Sequence, residues 1–205
     1  MTSFMSFAEP IKKLLTRVVA SHDTHAKWLN TLSYMENEGA KLMAACEHPT
    51  LVPEQMLKHA AEEFRHAYYL KSQISKVWPA GISDYSVSTL LGGYQSYHYM
   101  RRLNARVSRM IKQLGYTGLA LKGAAYALVS YAIEVRAHVL YPAYQDLLLA
   151  EKSRVSVRSI ILEEAEHLEE MTAAIEELAD GKILAQKACQ IEDELWQSLQ
   201  RVLEA

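Results

Sequence analysis

The chain is poor in the residues that mark several common site and fold types. Its two cysteines, Cys46 and Cys189, lack Cys-x-x-Cys spacing, so neither a zinc knuckle nor a rubredoxin-type iron site is encoded. Only eight glycines and five prolines occur in 205 residues, which argues for an all-helical class. A formal net charge of −2 gives no support to general nucleic-acid binding. The longest uncharged apolar stretch in a helical region, Gly123 to Ile133, is well short of the roughly 20 residues a membrane span needs. It reads as a buried helix, and no membrane partner is expected. Met1 to Ala8 is short and runs at once into Glu9, Pro10, Lys12 and Lys13, which does not read as a signal peptide; a cytoplasmic location is the expectation.

Half of the residues are apolar, and Ala, Leu, Glu and Lys recur throughout. That composition and length suit one helical domain over residues 1–205 with a substantial core. The patterning predicts a short helix from about Phe7 to Ala20, with Asp23 or Thr24 capping the next. Four longer helices are then expected over about 24–47, 53–77, 117–148 and 153–179. A crossover over 78–116 carries its own helix from near Ser88 to Leu114, and a C-terminal helix covers about 183–203. The crossover lets the third long helix run parallel to the second. The C-terminal helix puts Ile191, Leu195, Trp196, Leu199, Val202 and Leu203 on one face, to pack on the bundle or on a second subunit in a homodimer.

Two copies of one arrangement run through this framework. Glu36 is followed by Glu63-Phe64-Arg65-His66, and Glu134 by Glu164-Ala165-Glu166-His167. A Glu and a His three positions apart on a helix differ by about 60° around the axis and ~4.5 Å along it, so both can reach one ion. A hairpin turn at Pro49 and Thr50 would bring Glu36 and Glu63 to one level. For the second pair the midpoint is Leu149, slightly before the turn-like Lys152 and Ser153, and Pro142 could absorb the mismatch by kinking or shortening its helix. Glu134 ends a run without acidic residues from Tyr85 to Ile133, and a lone carboxylate in an apolar helix is costly unless paired or bound to metal. The candidate ligands are therefore Glu36, Glu63, His66, Glu134, Glu164 and His167, with Glu38 as a reserve for Glu36. Glu62, Glu163, Glu166, Glu169 and Glu170 read as background acidic residues.

This pattern resembles the ferritin-like di-iron carboxylate superfamily, whose hallmark is a Glu helix plus a Glu-x-x-His helix, repeated. The resemblance covers about Thr24 to Leu178 and implies a ferritin-like four-helix bundle holding two iron ions, with manganese or a mixed pair as alternatives. Without the cysteine-ligated domain of the rubrerythrin pattern, electrons would come from an external donor or from the substrate. The expected activity is a non-haem di-iron oxidoreductase that activates dioxygen to oxidise or hydroxylate a small organic molecule. The alternatives are an iron-oxidising or peroxide-scavenging protein without organic substrate, and a non-catalytic metal-binding bundle.

Neighbours of the ligands complete the reading. His59, four residues before Glu63, and His138, four after Glu134, are candidates for an extra ligand or a supporting hydrogen bond. Tyr34, Tyr131 and Tyr141 lie within reach of the ligand face, and Leu32, Phe64, Tyr131 and Ile160 are candidate pocket residues. Arg102, Arg106 and Arg109 form a helical stripe that either binds an anionic partner or is a solvated face offsetting the acidic stretch from Glu163 to Asp180.

Overall fold

The computed structural model describes residues 4–204 and, from Pro10 onward, their side chains. The described residues form an all-helical bundle without strands: α1 (Phe4–Val19), α2 (His22–Cys46), α3 (Glu54–Gln73), α4 (Tyr94–Gln113), α5 (Gly118–Ala150), α6 (Arg158–Glu176) and α7 (Gly181–Glu204). Ser21, in extended conformation, is the N-cap of α2; Asp23, expected as a cap, instead lies in the first turn and pairs with Lys27 at 3.0 Å. Pro53, the expected first residue of its helix, precedes α3 as its N-cap.

Side-chain bonds set the direction of each helix. Ser33 donates to the Ala67 carbonyl and Lys71 to the Asn30 side chain, so α2 and α3 are antiparallel. His25 meets Tyr144 at 2.5 Å while Lys122 donates to the Ala45 carbonyl at 3.1 Å, so α5 is antiparallel to α2 as well. It follows that α3 and α5 run the same way, the arrangement a crossover permits. Within that crossover a 3₁₀ turn at Val87–Thr89 and the positive-φ pair Gly92 and Gly93 delay α4 to Tyr94, six residues after the expected start. Gly92 sits at φ 80°, which a side chain would strain, and a Cβ there would lie 2.7 Å from Leu199 Cδ1 of α7, so the Leu199 side chain would have to shift.

Pro142 neither ends nor shortens α5, which runs unbroken to Ala150. The spacing mismatch is taken up after it. Residues 151–157 leave the helix through Lys152 (φ 52°) and return alongside α5, where the Gln145 side chain accepts from the Val157 amide at 2.7 Å. Val155 and Val157 are buried, and α6 starts only at Arg158, later than the expected 153.

Two apolar clusters make the core. One gathers Leu14, Trp28, Leu29, Tyr144, Leu148 and Ile160 among others; the second joins Leu103, Val107, Leu128, Ile175 and Leu184. The α5 helix supplies Ala124 to Ala132 to the second and Ala137 to Leu148 to the first, and Glu134 falls between them. By length and composition α5 is the one described helix that could cross a membrane, but it is packed here against α1, α4, α6 and α7. The C-terminal helix packs on α4 and α5 through Trp196 and Leu199, leaving Val202 exposed.

Above the core, Arg136 on α5 donates to both oxygens of buried Glu192 on α7 at 3.0 and 2.8 Å, and Tyr99 on α4 donates to the same carboxylate. Removing the cation would leave Glu192 charged and underpaired. Arg136→Met should therefore cost about 3–5 kcal/mol in denaturant unfolding, and adding Glu192→Met should recover part of the loss.

Candidate metal centre

All six sequence-derived candidates converge where α2, α3, α5 and α6 meet. Glu36, Glu63, His66 and Glu164 bring one ligand atom each to within 4.8 Å of the others; His59, Glu63, Glu134 and His167 do the same beside them. Glu63 is common to both groups and so stands between two candidate ion positions. His59 joins because it is one helical turn before Glu63 on α3, fully buried, with Nε2 3.2 Å from Glu134 and 3.5 Å from Glu63. His138 does not join: it is exposed and belongs to neither group. Glu38 does not replace Glu36. Although buried, it accepts from Arg101 at 3.0 Å and Lys41 at 2.9 Å and takes no part in either group.

The inward-facing atoms have close neighbours but no well-formed hydrogen bonds: His66 Nδ1 lies 3.1 Å from Glu164 and His167 Nδ1 3.4 Å from Glu63, while Glu134 Oε2 is buried without a partner. Poorly satisfied buried polar atoms cost about 1–3 kcal/mol each, and a cluster of them fits a centre completed by cations. The donor set of carboxylates and imidazoles suits first-row transition ions.

The outward atoms of the two histidines are held by acids that read as background in the sequence. His66 Nε2 donates to Glu163 at 2.7 Å, and His167 Nε2 donates to Glu62 at 2.8 Å. Each acid immediately precedes a candidate ligand on the opposite helix, so the repeated unit is Glu-Glu-x-x-His: Glu62-Glu63-Phe64-Arg65-His66 and Glu163-Glu164-Ala165-Glu166-His167. The doubled acid was a legible signal. Such a bond fixes the ring with its other nitrogen toward the centre. Arg65 also donates to Glu163, and Arg65 and His66 keep that carboxyl below its usual range despite partial burial.

Tyr141, one of the three expected tyrosines, donates to Glu36. Tyr34 instead donates to the Tyr97 carbonyl, and Tyr131 lines a separate cavity with Cys189. Sequence reasoning missed Tyr126, whose hydroxyl is 3.1 Å from His59 Nδ1; it lies two turns before Glu134 on the same helix. Phe64, expected in the pocket, is largely turned to solvent, and Ile160 is in the apolar core. The arginine stripe is partly neutralised, since Arg106 pairs with Glu194 at 2.5 Å, while Arg102 donates to the neutral Gln95 amide.

Without cations three of the four carboxyls are pushed toward their protonated forms and the fourth is held ionised. Burial and the neighbouring Glu63 and Glu164 raise Glu36 well above the usual range, and burial with Glu134 beside it does the same to Glu164. Burial pushes Glu134 up to about 8. Burial would raise Glu63 too, but hydrogen bonds with His167, His59 and Glu36 outweigh it and hold this carboxyl well below the usual range. Burial acts to lower His66 and His167, yet their carboxylate partners, Glu164 and Glu63 foremost, raise both.

An apolar cavity opens on the ligands. Leu32, Gly39 and Met43 of α2, Met100 of α4, and Val129 and Ile133 of α5 line it together with Glu36, Glu63 and Glu134. No family model matches this chain, and neither the curated proteins nor the solved structures contain a match.

Two predictions follow from the site's charges. The raised carboxyls and imidazoles make the folded, metal-free protein bind more protons than the unfolded chain between about pH 4.5 and 8. Its melting temperature in chelator should therefore fall as pH rises through that window, whereas divalent iron or manganese, which competes with those protons, should stabilise it more at pH 8 than at pH 5.5. Secondly, Glu62→Gln and Glu163→Gln should each weaken metal binding by about 10–100-fold in a competition titration while leaving the helical spectrum intact.

Proposed function

We propose that this chain is a ferritin-like, non-haem di-iron oxidoreductase of the cytoplasm that uses dioxygen to oxidise or hydroxylate a small organic molecule. The carrying observation is the pair of four-residue ligand groups that share Glu63. Four carboxylates balance two divalent ions, so a loaded centre adds little net charge to the core. Manganese or a mixed pair would satisfy the same ligands.

When bound, two ferrous ions would supply two electrons to dioxygen while a substrate C–H bond supplies two more. The net change would place one oxygen atom in that bond and the other in water, balanced by two protons from solvent and two electrons from an external one-electron carrier protein. The chain's own residues prepare this. Glu62 and Glu163 aim the imidazoles of His167 and His66, and Tyr141 fixes the Glu36 carboxylate from the cavity side. Met35, Met100, Val129 and Ile133 exclude water from the space beside the ligands. That apolar space favours an organic substrate over iron storage or peroxide removal, neither of which needs an oily pocket.

Anaerobic reconstitution with ferrous iron should load two ions per chain, and admitted dioxygen should oxidise them faster than peroxide does. Glu63→Ala together with Glu164→Ala should abolish loading while circular dichroism stays helical; two ions retained in that variant would sink the ligand assignment. Rapid oxidation by peroxide with no turnover of organic compounds would support the scavenger instead.

A further inference from the structure

The outward face of α3 carries no charge along its centre line. Leu57, Ala61, Phe64 and Tyr68 recur there at spacings of four, three and four, so they fall within about 60° of one another around the axis. The stripe lies opposite His59, Glu63, His66 and Leu70, which are buried toward the bundle. Leu57 is 52% exposed, Phe64 43% and Tyr68 75%, and among the described residues no other helix shows three large apolar side chains to solvent. Three residues beyond either end stand Glu54, exposed, and Lys71, partly exposed. A contiguous apolar stripe on an outer helix marks a contact surface.

This seam has the same spacing read from either end: Glu54, Leu57, Ala61, Phe64, Tyr68 and Lys71 are three, four, three, four and three residues apart. A second copy of α3, laid antiparallel about a twofold axis between Glu62 and Glu63, therefore meets it residue for residue. Leu57 then faces Tyr68 of the partner subunit, Ala61 faces Phe64 of the partner subunit and Glu54 faces Lys71 of the partner subunit. Each contact occurs twice, as an isologous interface requires, and the pattern is the two-residue seam of paired helices. A parallel copy would instead oppose like charges at both ends, set Phe64 against Phe64 and leave a gap between two alanines. The flanking cations add little repulsion, because Lys58 is paired with Glu166 and Glu170 and Arg65 with Glu163, all on α6. The apolar face of α7, the other place where a second subunit was expected, is covered within the chain by α4 and α5 at Trp196 and Leu199.

We propose that the outer face of α3 is a homodimer interface, an antiparallel α3–α3 seam between two copies of this chain. From Glu54 to Lys71 the seam is ~26 Å long and one helix wide. That is less than the roughly 800 Å² per partner of a standard stable interface, so association is concentration-dependent. The Lys71 ammonium also donates to the Asn30 side chain at 2.5 Å and to the Asp84 carbonyl at 3.3 Å, so the charged ends set direction while the apolar centre supplies affinity. The seam needs no metal and stands apart from the di-iron reading above.

The test is sedimentation velocity of the full-length protein from low to high micromolar concentration, where the mass should rise from one chain to two. Phe64→Asp should weaken association roughly tenfold or more by placing a charge at the centre of the seam. Ala61→Phe should weaken it as well, by crowding the Phe64 that faces it. Both positions are exposed, so circular dichroism and melting temperature should stay unchanged in either variant. Direction is read by cross-linking in a chain whose Cys46 and Cys189 are replaced by Ala. Under mild oxidation a mixture of Leu57→Cys and Tyr68→Cys chains should form a disulfide-linked dimer, and neither variant alone should. A single-chain mass at every concentration would overturn the proposal, as would a dimer indifferent to both Phe64→Asp and Ala61→Phe. Leu57→Cys chains linking to one another rather than to Tyr68→Cys chains would overturn the antiparallel seam.

Discussion

Burying four carboxylates among four helices is the constraint from which the rest of this structure follows. An isolated ionised carboxylate in such surroundings would shed its charge, and Glu36, Glu134 and Glu164 are indeed pushed toward their protonated forms. What makes the cluster tolerable is reciprocity. Each hairpin supplies an acid that holds the other's histidine, so Glu62 and Glu163 tie α3 and α6 together across the centre. The surface pairs Lys58 with Glu170 and Arg65 with Glu163 extend the same antiparallel seam outward, where each contributes less.

Helices outside the four that carry the candidate ligands give the cluster its surroundings. The crossover helix α4 lies over the cavity through Met100 and Asn104, and α7 reaches it through Trp196. Both are locked to α5 by one carboxylate, Glu192, which accepts from Arg136 and Tyr99, while the Arg136 guanidinium stacks 5.0 Å from the Trp196 ring. A buried bidentate pair of this kind adds little net stability over an apolar replacement, whereas removing one partner alone is costly. The roof of the cavity is held in place by this pair.

Much of the site was legible because helical spacing translates directly into facing. Glu36, Glu63, His66, Glu134, Glu164 and His167 follow from two i, i+3 pairs and two matched partners, and the structure gathers all six. His59 and His138 were symmetric by sequence, each four residues from a ligand, and only packing separated them. His59 faces the α3–α5 seam, whereas His138 points from α5 to solvent. Glu38 shows the reverse case, a buried acid that needs no metal because Arg101 arrives from a helix 63 residues away. The basic residues of the crossover, unopposed along the chain, meet Glu38 and Glu194 from α2 and α7.

Local chemistry alone determined the helical class, the approximate helix spans and the repeated ligand pattern, since propensity and the 3.6-residue period act within a few residues. Tertiary structure decided how the unequal arms of the second hairpin align, through a returning segment at 151–157 rather than through Pro142. It also decided which acids orient the histidines and which side chains line the cavity beside them. Those features depend on distances between helices far apart in the chain, and such distances are set by the packing of side chains that no single helix contains.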